Sequence, residues 1–551
     1  MTPKVLAFLF AAAVPLAAQT PTDSEIRKIL AERIDTAHQS VGIVVGVVEP
    51  QGRRIVAYGS LDKGDKRRLD GDTVFEIGSV TKVFTSLLLA DMVERKEVAL
   101  SDPVAKYLPA SVKVPERGGR QITLESLSRQ VSGLPRLPSN LAPKDAANPY
   151  ADYTAAQLYE FLSGYTLTRD IGSQYEYSNL GVGLLGHALA RRAGVDYEAL
   201  VRSRVLEPLG MKSSGIALSP EMKARLAVGH DVSMNPAKNW DLPTLAGAGA
   251  LRSTANDMLN FLAANLGYTK TPLAPAMAGM LKIRGPAGAP GMEAALGWLI
   301  STPNIVWHNG GTGGYRAFAG FNPETRVGVV VISNASTAEG VDDIGRHLLD
   351  PKSALIDFGP RKEVAIDPKL LDLYVGRYQL APGAILSVTR AENRLSAQLT
   401  GQPAFPIFPE GERDFFLKVV NAQLTFEATG GQKATAVVLH QNGINQRAPR
   451  IEGEPIPPKQ HKEVAVDPRL FDNYVGRYTL APGFILTVTR EGSHLYVQAT
   501  GQPRFEILAE GERDFFLKDI DAQLTFEVDK QGRAAALVLH QGGDHRAPRA
   551  E

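Results

Sequence analysis

A chain of 551 residues is longer than one hydrophobic core usually supports, so several domains are expected. Hydrophobic residues make up 44% and charged residues 22%, as in an ordinary soluble globular protein, and the formal net charge of +1 gives no reason to expect nucleic acid or an anionic membrane as a partner. Because the chain contains no cysteine, a disulfide framework, a thiolate metal site and a cysteine nucleophile are excluded.

The N-terminus has the pattern of a secretory signal peptide. A short basic start over residues 1–4 precedes an apolar stretch over 5–14, and small residues near Ala17 or Ala18 suit a cleavage site. The alternative is an ordinary N-terminal core helix, but a polar break follows directly. The apolar stretch is too short to span a bilayer, which takes about 20 apolar residues, and no later segment approaches that length. We therefore predict a signal peptide over 1–18, no transmembrane segment, and an exported protein, periplasmic or extracellular.

Residues 22–355 mix strands and helices. Runs of β-branched and aromatic residues predict paired strands at 41–49 and 53–60 and a later meander at 296–302, 304–308, 315–322 and 327–334. Amphipathic or apolar segments predict helices at 79–96, 155–163, 180–193 and 340–349. Strands at both ends with helices between them predict an α+β domain, an antiparallel sheet flanked by helices in which both ends of the segment share one sheet.

The helix predicted at 79–96 opens on an unusual pair of residues. Ser79 suits its N-cap, but Lys82 stands where a capping box takes Glu or Gln, and its charge faces the positive end of the helix dipole. A serine hydroxyl is a weak nucleophile until a base takes its proton, and residues i and i+3 share one helix face. Ser79 and Lys82 are therefore a candidate catalytic pair. The alternative is a capped helix with an incidental lysine.

The same Ser-x-x-Lys spacing occurs at Ser60 and Lys63. That copy falls in a polar turn with no helix to hold the two side chains in register. We therefore interpret it as a chance match, and it supplies a control for the first pair.

A second candidate stretch precedes the helix predicted at 180–193 and places Tyr177, Ser178 and Asn179 together. A phenol can carry a proton if a nearby cation lowers its pKa, and a carboxamide can hold both a lysine and a substrate amide. The alternative is a strand end followed by an Asn helix cap.

A third stretch ends a predicted strand on His308 and Asn309, followed by Gly310 and Gly311. Glycines permit close approach of the backbone to a ligand and expose N–H groups. The alternative is a glycine hairpin with a stray histidine.

In this order, the three stretches resemble the penicillin-recognising serine hydrolases, in the branch that contains class C β-lactamases, DD-peptidases, D-aminopeptidases and related esterases. The resemblance covers nearly all of residues 22–350 and includes the sequences SGLP at 132–135, EPLGM at 207–211 and GAGALRSTANDMLNF at 247–261. It implies an antiparallel sheet flanked by helices, of the β-lactamase and transpeptidase type.

The resemblance also implies roles for the site residues. Ser79 would be the acylated nucleophile, Lys82 its partner in proton transfer, and Tyr177 the general base and leaving-group acid. The backbone N–H groups of Ser79 and Gly311 would form the oxyanion hole. The predicted substrate-binding residues are Asn179, His308, Gly310 and Gly311. No metal or organic cofactor is expected.

Two positions depart from the family pattern. The third motif of class C β-lactamases is Lys-Thr-Gly, whereas this chain has His308-Asn309-Gly310, so a permanent cation suited to a substrate carboxylate is replaced by a group that is largely neutral at pH 7. Efficient β-lactam hydrolysis is therefore not expected, and a peptide or ester substrate is favoured over a β-lactam. Where relatives often have HTSGLP, this chain has Gln130 at the first position, a change the sequence does not explain.

Two similar segments follow, at 363–450 and 463–549, separated by a Pro-rich linker at 451–462. Each is a series of short β-branched and aromatic runs parted by turn residues, which predicts a small antiparallel barrel or sandwich. Each resembles the lipocalin-like barrel that follows the catalytic domain in some relatives, where such modules assist oligomerisation or shape access to the site; a homo-oligomer through the barrels is therefore an expectation. The YVGRY sequences at Tyr374 and Tyr474 are interpreted as core aromatics rather than a binding signature.

The sequence thus predicts an exported serine hydrolase that forms an acyl-enzyme at Ser79 and acts on D-amino-acid-containing peptides, like a DD-peptidase or D-aminopeptidase, or on esters. A β-lactamase is one alternative. A non-catalytic ligand-binding or sensing protein with oligomerising β modules is another. The expected partner is a small-molecule or peptide substrate.

Overall fold

The computed structural model of the protein describes residues 20–289, 291–337, 339–359, 361–381, 384–400, 402–420, 422–428, 431–441, 444–453, 463–481, 484–499, 504–517, 522–540 and 544–550. The predicted signal peptide and residues 454–462 of the predicted linker lie outside the described residues. Within the described ranges, no helix combines the length and the apolar character that crossing a membrane requires.

The first part of the chain is built on an antiparallel sheet of eight strands in the order β2-β1-β12-β11-β10-β9-β8-β7. The strands of this part are Gly42–Glu49 (β1), Gly52–Gly59 (β2), Phe75–Glu76 (β3), Glu116–Arg117 (β4), Arg120–Gln121 (β5), Arg252–Ser253 (β6), Gly285–Pro286 (β7), Met292–Ala294 (β8), Leu299–Ser301 (β9), Ile305–Gly311 (β10), Arg316–Asn322 (β11) and Val327–Ser333 (β12). Short ladders join β3 to β6 and β4 to β5. Because β1 pairs with both β2 and β12, the two ends of this part share one sheet, as predicted.

Helices cover both faces of this sheet, which confirms the predicted α+β class. They are Asp23–Ala31 (α1), Thr81–Glu94 (α2), Leu124–Ser128 (α3), Ala155–Gly164 (α4), Asn179–Ala193 (α5), Tyr197–Val201 (α6), Pro220–Ala224 (α7), Ala255–Asn265 (α8), Ala274–Met280 (α9) and Asp342–Leu349 (α10). Successive side chains of β1 point to opposite faces. Val45 therefore packs in the core shared with α1 and α10, whereas Val44 packs in the larger core that contains α2 and α8.

Each C-terminal repeat forms an eight-stranded antiparallel sheet whose strands follow one another in chain order. The first repeat consists of the helix Pro368–Tyr374 (α11) and the strands Gly376–Ala381 (β13), Ala384–Ala391 (β14), Arg394–Leu399 (β15), Ala404–Pro409 (β16), Asp414–Leu417 (β17), Ala422–Glu427 (β18), Ala436–Gln441 (β19) and Ile444–Ile451 (β20). The strands of the second are Gly476–Ala481 (β21), Phe484–Glu491 (β22), His494–Ala499 (β23), Arg504–Ala509 (β24), Asp514–Leu517 (β25), Gln523–Val528 (β26), Ala534–His540 (β27) and Asp544–Pro548 (β28). The first sheet closes into a barrel through β13 and β20. In the second, a bridge joins Tyr478 to Arg549.

Side chains fill the interiors of these sheets, as expected for small barrels of eight strands. Tyr374 is 1% exposed and stacks on Phe426 with ring centroids 4.6 Å apart; Tyr474 is 3% exposed and stacks on Phe526 at 4.5 Å. The interpretation of the YVGRY tyrosines as core residues is therefore confirmed.

Candidate active site

The nucleophile candidate lies on a tight turn between β3 and α2. A 3-10 turn over Gly78–Val80 carries Ser79, which is half-buried between two buried neighbours. Gly78 has a φ of 50°, in the left-handed region, and a Cβ at this position would lie 2.7 Å from the backbone nitrogen of Gly311. Glycine is therefore required here, both by the backbone conformation and by the close approach of β10.

The prediction that Ser79 caps the helix is wrong. The α-helix begins at Thr81, and no side chain caps its N-terminus. The Ser79 hydroxyl instead accepts a hydrogen bond of 2.8 Å from Lys82 Nζ. The 3-10 turn replaces the cap because it continues the chain into the helix without the extended residue that a cap requires.

Lys82 is buried, with 1% of its surface exposed. Besides its bond to Ser79 Oγ, its amine donates to Asn179 Oδ1 at 2.8 Å and to the carbonyl of Ala248 at 2.6 Å. Burial, followed by the positive charge of Arg136, lowers the pKa of Lys82 well below its ordinary value. The lysine that does not fit the rules of helix capping is thus held against the Ser79 hydroxyl as an amine of lowered basicity.

The three hydrogen-bond partners of Lys82 fix which side of its nitrogen meets Ser79. The Asn179 carbonyl oxygen and the Ala248 carbonyl can only accept, so they take two of the N–H groups of Lys82. The remaining position of the nitrogen faces Ser79 Oγ, where it donates an N–H when Lys82 is charged and presents a lone pair to the hydroxyl when Lys82 is neutral. This arrangement can remove the proton from the hydroxyl.

The second motif is held at the start of α5 by Ser178. Its hydroxyl accepts from the backbone N–H of Gly181 at 2.8 Å and donates to the carbonyl of Pro135 at 2.6 Å. The alternative of an Asn helix cap is wrong, because Ser178 occupies the cap and Asn179 is the first helical residue. The carboxamide of Asn179 is therefore free to bind Lys82 and, through Nδ2, the Tyr150 hydroxyl at 3.2 Å.

Gln130, which the sequence left unexplained, fastens this motif. Its φ of 62° is in the left-handed region. Its side-chain oxygen accepts from the backbone N–H of Ser178 at 2.8 Å, and its backbone carbonyl accepts from that of Glu176 at 2.8 Å. Gln130 thereby fixes both neighbours of Tyr177. The sequence alone cannot reveal this role, because Gln130 is distant from these residues along the chain.

Tyr177 faces both members of the pair. Lys82 Nζ lies 4.8 Å from the centroid of its ring. Burial is the main influence on the phenol and raises its pKa above the ordinary value; a hydrogen bond with Ser79 and the charge of Arg136 oppose this rise. Tyr177 therefore keeps its proton at neutral pH and is a proton donor in its resting form.

His308 lies on β10, paired with Ala319 of β11, and is 4% exposed. Its ring centroid is 6.2 Å from that of Tyr177. Nδ1 lies 2.6 Å from the Asn309 carbonyl, which can only accept, so Nδ1 carries the proton and Nε2 is an acceptor. Burial, followed by the charge of Lys82, lowers the pKa of His308 to about 4, so the ring is neutral at pH 7.

The stability of the first part of the chain should report the protonation of His308. Above pH 6.5, neither the folded nor the unfolded chain protonates this ring; between pH 6.5 and 4, only the unfolded chain does, so the free energy of unfolding falls as the pH falls. From pH 7 to 5, we expect His308 to contribute a loss of about 2 kcal/mol that the His308→Gln variant lacks. The chain's three tryptophans, Trp240, Trp298 and Trp307, all lie in this part, so urea unfolding followed by their fluorescence measures the difference. If the free energy of unfolding depends on pH equally in the unaltered protein and in His308→Gln, the assignment of this loss to His308 is wrong.

The end of β10 packs directly on the turn that carries Ser79. A Cβ on Gly310 would lie 2.0 Å from the carbonyl oxygen of Ile77 and 3.0 Å from the backbone nitrogen of Ser79. Gly311 is exposed at the end of the strand, against Gly78. The backbone N–H groups of Ser79 and Gly311 therefore border the same turn, as an oxyanion hole requires.

Gly310→Ala should reduce acylation of Ser79 roughly 100- to 1000-fold, since the added methyl group forces the strand end off the turn and displaces one oxyanion donor. The rate of labelling by a fluorophosphonate measures this, with tryptophan fluorescence to show that the domain is folded. Gly164→Ala is the matched control, because nothing lies within 4 Å of its Cβ position. Unchanged labelling of Gly310→Ala would show that the strand end does not position the oxyanion donor.

Tyr150 and Trp240, which the sequence did not identify, lie beside Asn179 on one side of the site. The ring of Tyr150, whose hydroxyl contacts Asn179, lies 5.5 Å from that of Trp240. The backbone N–H of Trp240 donates to Glu76 Oε1 at 3.0 Å, and Glu76 forms a buried ion pair with Arg252. Both aromatics lie on loops without a recognisable pattern, so no sequence signal could have found them.

No group of three or more His, Asp or Glu side chains within the described ranges could hold a metal ion. The site brings together Ser79, Lys82, Tyr177, Asn179 and His308, and the bond between Ser79 and Lys82 suits nucleophilic chemistry.

Known proteins share this architecture. A family model described as Beta-lactamase matches residues 26–350, and one described as Domain of unknown function (DUF3471) matches residues 360–454 and 460–547. The D-alanyl-D-alanine-carboxypeptidase/endopeptidase AmpH of Escherichia coli (strain K12) is 30% identical over 371 residues, covering 62% of this chain and 94% of AmpH. A Beta-lactamase of Pseudomonas fluorescens is 26% identical, covering 56% of this chain and 94% of that protein. The solved structure of a beta-lactamase/D-alanine carboxypeptidase from Yersinia pestis, complexed with citrate, is 27% identical with a TM-score of 0.50, covering 57% of this chain and 93% of that one.

Proposed function

Since this chain belongs to the beta-lactamase family and is a serine hydrolase, we propose that it forms an acyl-enzyme on Ser79 and hydrolyses peptides that contain D-amino acids, or esters. The hydrogen bond between the buried Lys82 amine and Ser79 Oγ carries the proposal. It pairs a nucleophile with a base whose pKa burial has lowered, and such a base can accept a proton at neutral pH and release it again.

In the acylation step, the lone pair of Lys82 takes the Ser79 proton while Oγ attacks the carbonyl carbon of the scissile bond. The negative charge that develops on the carbonyl oxygen is stabilised by the N–H groups of Ser79 and Gly311. We assign the base to Lys82 rather than Tyr177, because burial lowers the pKa of the amine and raises that of the phenol.

The leaving group then departs with a proton from Tyr177. The phenol donates to the leaving nitrogen or oxygen as its bond to the carbonyl carbon breaks, and the Lys82 ammonium, 4.8 Å from the centroid of that ring, restores the phenol. Water attacks the acyl-enzyme with Lys82 as the base again, which releases the acid and regenerates the Ser79 hydroxyl. Each proton taken is returned, so the cycle needs no cofactor.

A peptide substrate is favoured over a β-lactam by the neutral His308 and by the relative named a D-alanyl-D-alanine-carboxypeptidase/endopeptidase. A β-lactamase is the second candidate, because another relative carries that name. A non-catalytic binding protein is disfavoured, since the contacts among Ser79, Lys82 and Asn179 are complete.

We also propose the organisation of the chain and its location. A signal peptide occupies residues 1–18 and the hydrolase domain 22–355, followed by barrel-like repeats at 363–450 and 463–549 with a linker at 451–462 between them. The signal pattern supports export to the periplasm or the medium. Assembly into a homo-oligomer through the repeats belongs to the same proposal.

To test this, the mature protein is incubated separately with a peptide ending in D-alanyl-D-alanine, the same peptide ending in L-alanyl-L-alanine, an aryl ester and a penicillin. We expect D-alanine release from the first peptide only, ester cleavage, and a penicillin adduct that persists in the intact mass. Rapid penicillin turnover without peptide cleavage would assign a β-lactamase. No adduct and no turnover with any reagent would assign a binding protein.

A further inference from the structure

Arg136 lies at the mouth of the site, exposed to solvent beside Tyr177. Its guanidinium carbon is 5.0 Å from the centroid of the Tyr177 ring. Its backbone carbonyl accepts hydrogen bonds from the N–H groups of Asn179, at 3.0 Å, and Leu180, at 3.2 Å. The start of α5 therefore fixes the loop, and the guanidinium is held against the residue that protonates the leaving group.

The guanidinium of Arg136 forms no hydrogen bond or ion pair with any residue that the structure describes. Three other arginines of the first part of the chain are already engaged. Arg169 pairs with Glu176, and Arg346 stacks on the ring of Trp307. Arg316, behind Gly311, donates to four backbone carbonyls. Arg136 thus keeps its planar fork of N–H donors available to an anion.

The charge of Arg136 acts across the whole site. Burial is the largest influence on the pKa values of Lys82, Tyr150, Tyr175 and Tyr177, and the charge of Arg136 lowers all four. The third motif supplies no cation, since His308 is neutral at pH 7. The amine of Lys82 is enclosed by its three partners and does not reach the surface.

We propose that Arg136 binds the carboxylate of the leaving amino acid and makes the enzyme select peptides with a free C-terminal carboxylate. This inference rests on the proposed function and specifies its substrate. In an amino-acid leaving group, one carbon separates the nitrogen that Tyr177 protonates from the carboxylate. A guanidinium against the Tyr177 ring is therefore within reach of the carboxylate, and its fork can bind both oxygens. Arg136 thus supplies beside Tyr177 a positive charge that His308, neutral at pH 7, does not supply.

Binding of two small probes tests the role of Arg136 without any turnover. N-acetyl-D-alanine and its amide, which lacks the negative charge, are titrated by ligand-observed NMR. The unaltered protein is expected to bind the carboxylate roughly 10- to 100-fold more tightly than the amide. Arg136→Gln should bind both equally, and Arg136→Lys, which keeps a point charge without the fork, should fall between. Arg117→Gln, which removes an exposed arginine already paired with Asp170, should discriminate like the unaltered protein.

Equal binding of the two probes by the unaltered protein, or equal discrimination by the unaltered protein and Arg136→Gln, would overturn the assignment. Turnover provides the separate test of the proposed function. With a D-alanyl-D-alanine peptide and its C-terminal amide, Arg136→Gln should lose the preference for the acid mainly through KM. If discrimination is seen in binding but neither peptide is cleaved, the proposed reaction fails while the carboxylate site stands.

Discussion

Ser79→Ala is expected to abolish covalent labelling by both a fluorophosphonate and a penicillin. Ser79 Oγ is the atom bonded to the buried amine of Lys82 and lies on the turn that faces Gly311. Without this atom no acyl bond can form, and loss of a serine nucleophile lowers kcat on the order of a million-fold in enzymes of this type. Intact mass spectrometry measures the result: the unaltered protein gains the mass of one adduct, and the variant gains none.

Ser60→Ala is the matched control, since Ser60 has the same spacing to a lysine. Lys63 Nζ donates to the carbonyl of Met234 at 2.6 Å and is exposed, so Lys63 is not positioned to activate Ser60. We expect Ser60→Ala to be labelled at the normal rate. Equal loss in both variants, or a persistent adduct on Ser79→Ala, would show that the nucleophile has been assigned to the wrong serine.

Lys82→Met should lower the acylation rate about 1000-fold while leaving Ser79 in place. Methionine keeps most of the volume and removes the amine, so the Ser79 hydroxyl loses its proton acceptor, and Asn179 Oδ1 and the Ala248 carbonyl lose a donor. The initial rate of fluorophosphonate labelling as a function of pH measures the effect. The unaltered protein should react well at neutral pH because burial lowers the pKa of Lys82, and the residual reaction of the variant should lack that dependence.

Lys63→Met is the control for this change, because it removes an exposed lysine that contacts Met234 instead of Ser60. It should react at the normal rate. Acylation of Lys82→Met at the normal rate would instead indicate that Tyr177, whose pKa the neighbouring Ser79 lowers, acts as the base.

Much of the fold could be predicted because its signals are local. Apolar residues lie on all sides of the helix at 81–94, and the structure buries nearly every side of that helix. The runs at 41–49 and 327–334 predicted strands that form adjacent members of one sheet, β1 and β12. The N-cap assigned to Ser79 failed because a 3-10 turn over Gly78–Val80 moves the start of the α-helix to Thr81, and the Ser79 hydroxyl accepts from Lys82 instead.

The surroundings of the candidate site could not be predicted in the same way. Gln130 contributes through Ser178, 48 positions along the chain, and Asn179 contacts Lys82 across 97 positions. Tyr150 and Trp240 lie on irregular loops, where neither periodicity nor capping rules apply. Their roles depend on which loops the sheet and helices bring together.

By itself, the sequence determined the fold class, the two barrel-like repeats and the order of the three motifs, because periodicity and spacing are properties of neighbouring residues. Only the tertiary structure decided the electrostatic character of the site. Whether Lys82 is a base, whether His308 is charged and where a free cation remains depend on burial and on charges from other segments. A pKa is set by the surroundings of a group in space, and these surroundings exist only once the chain has folded.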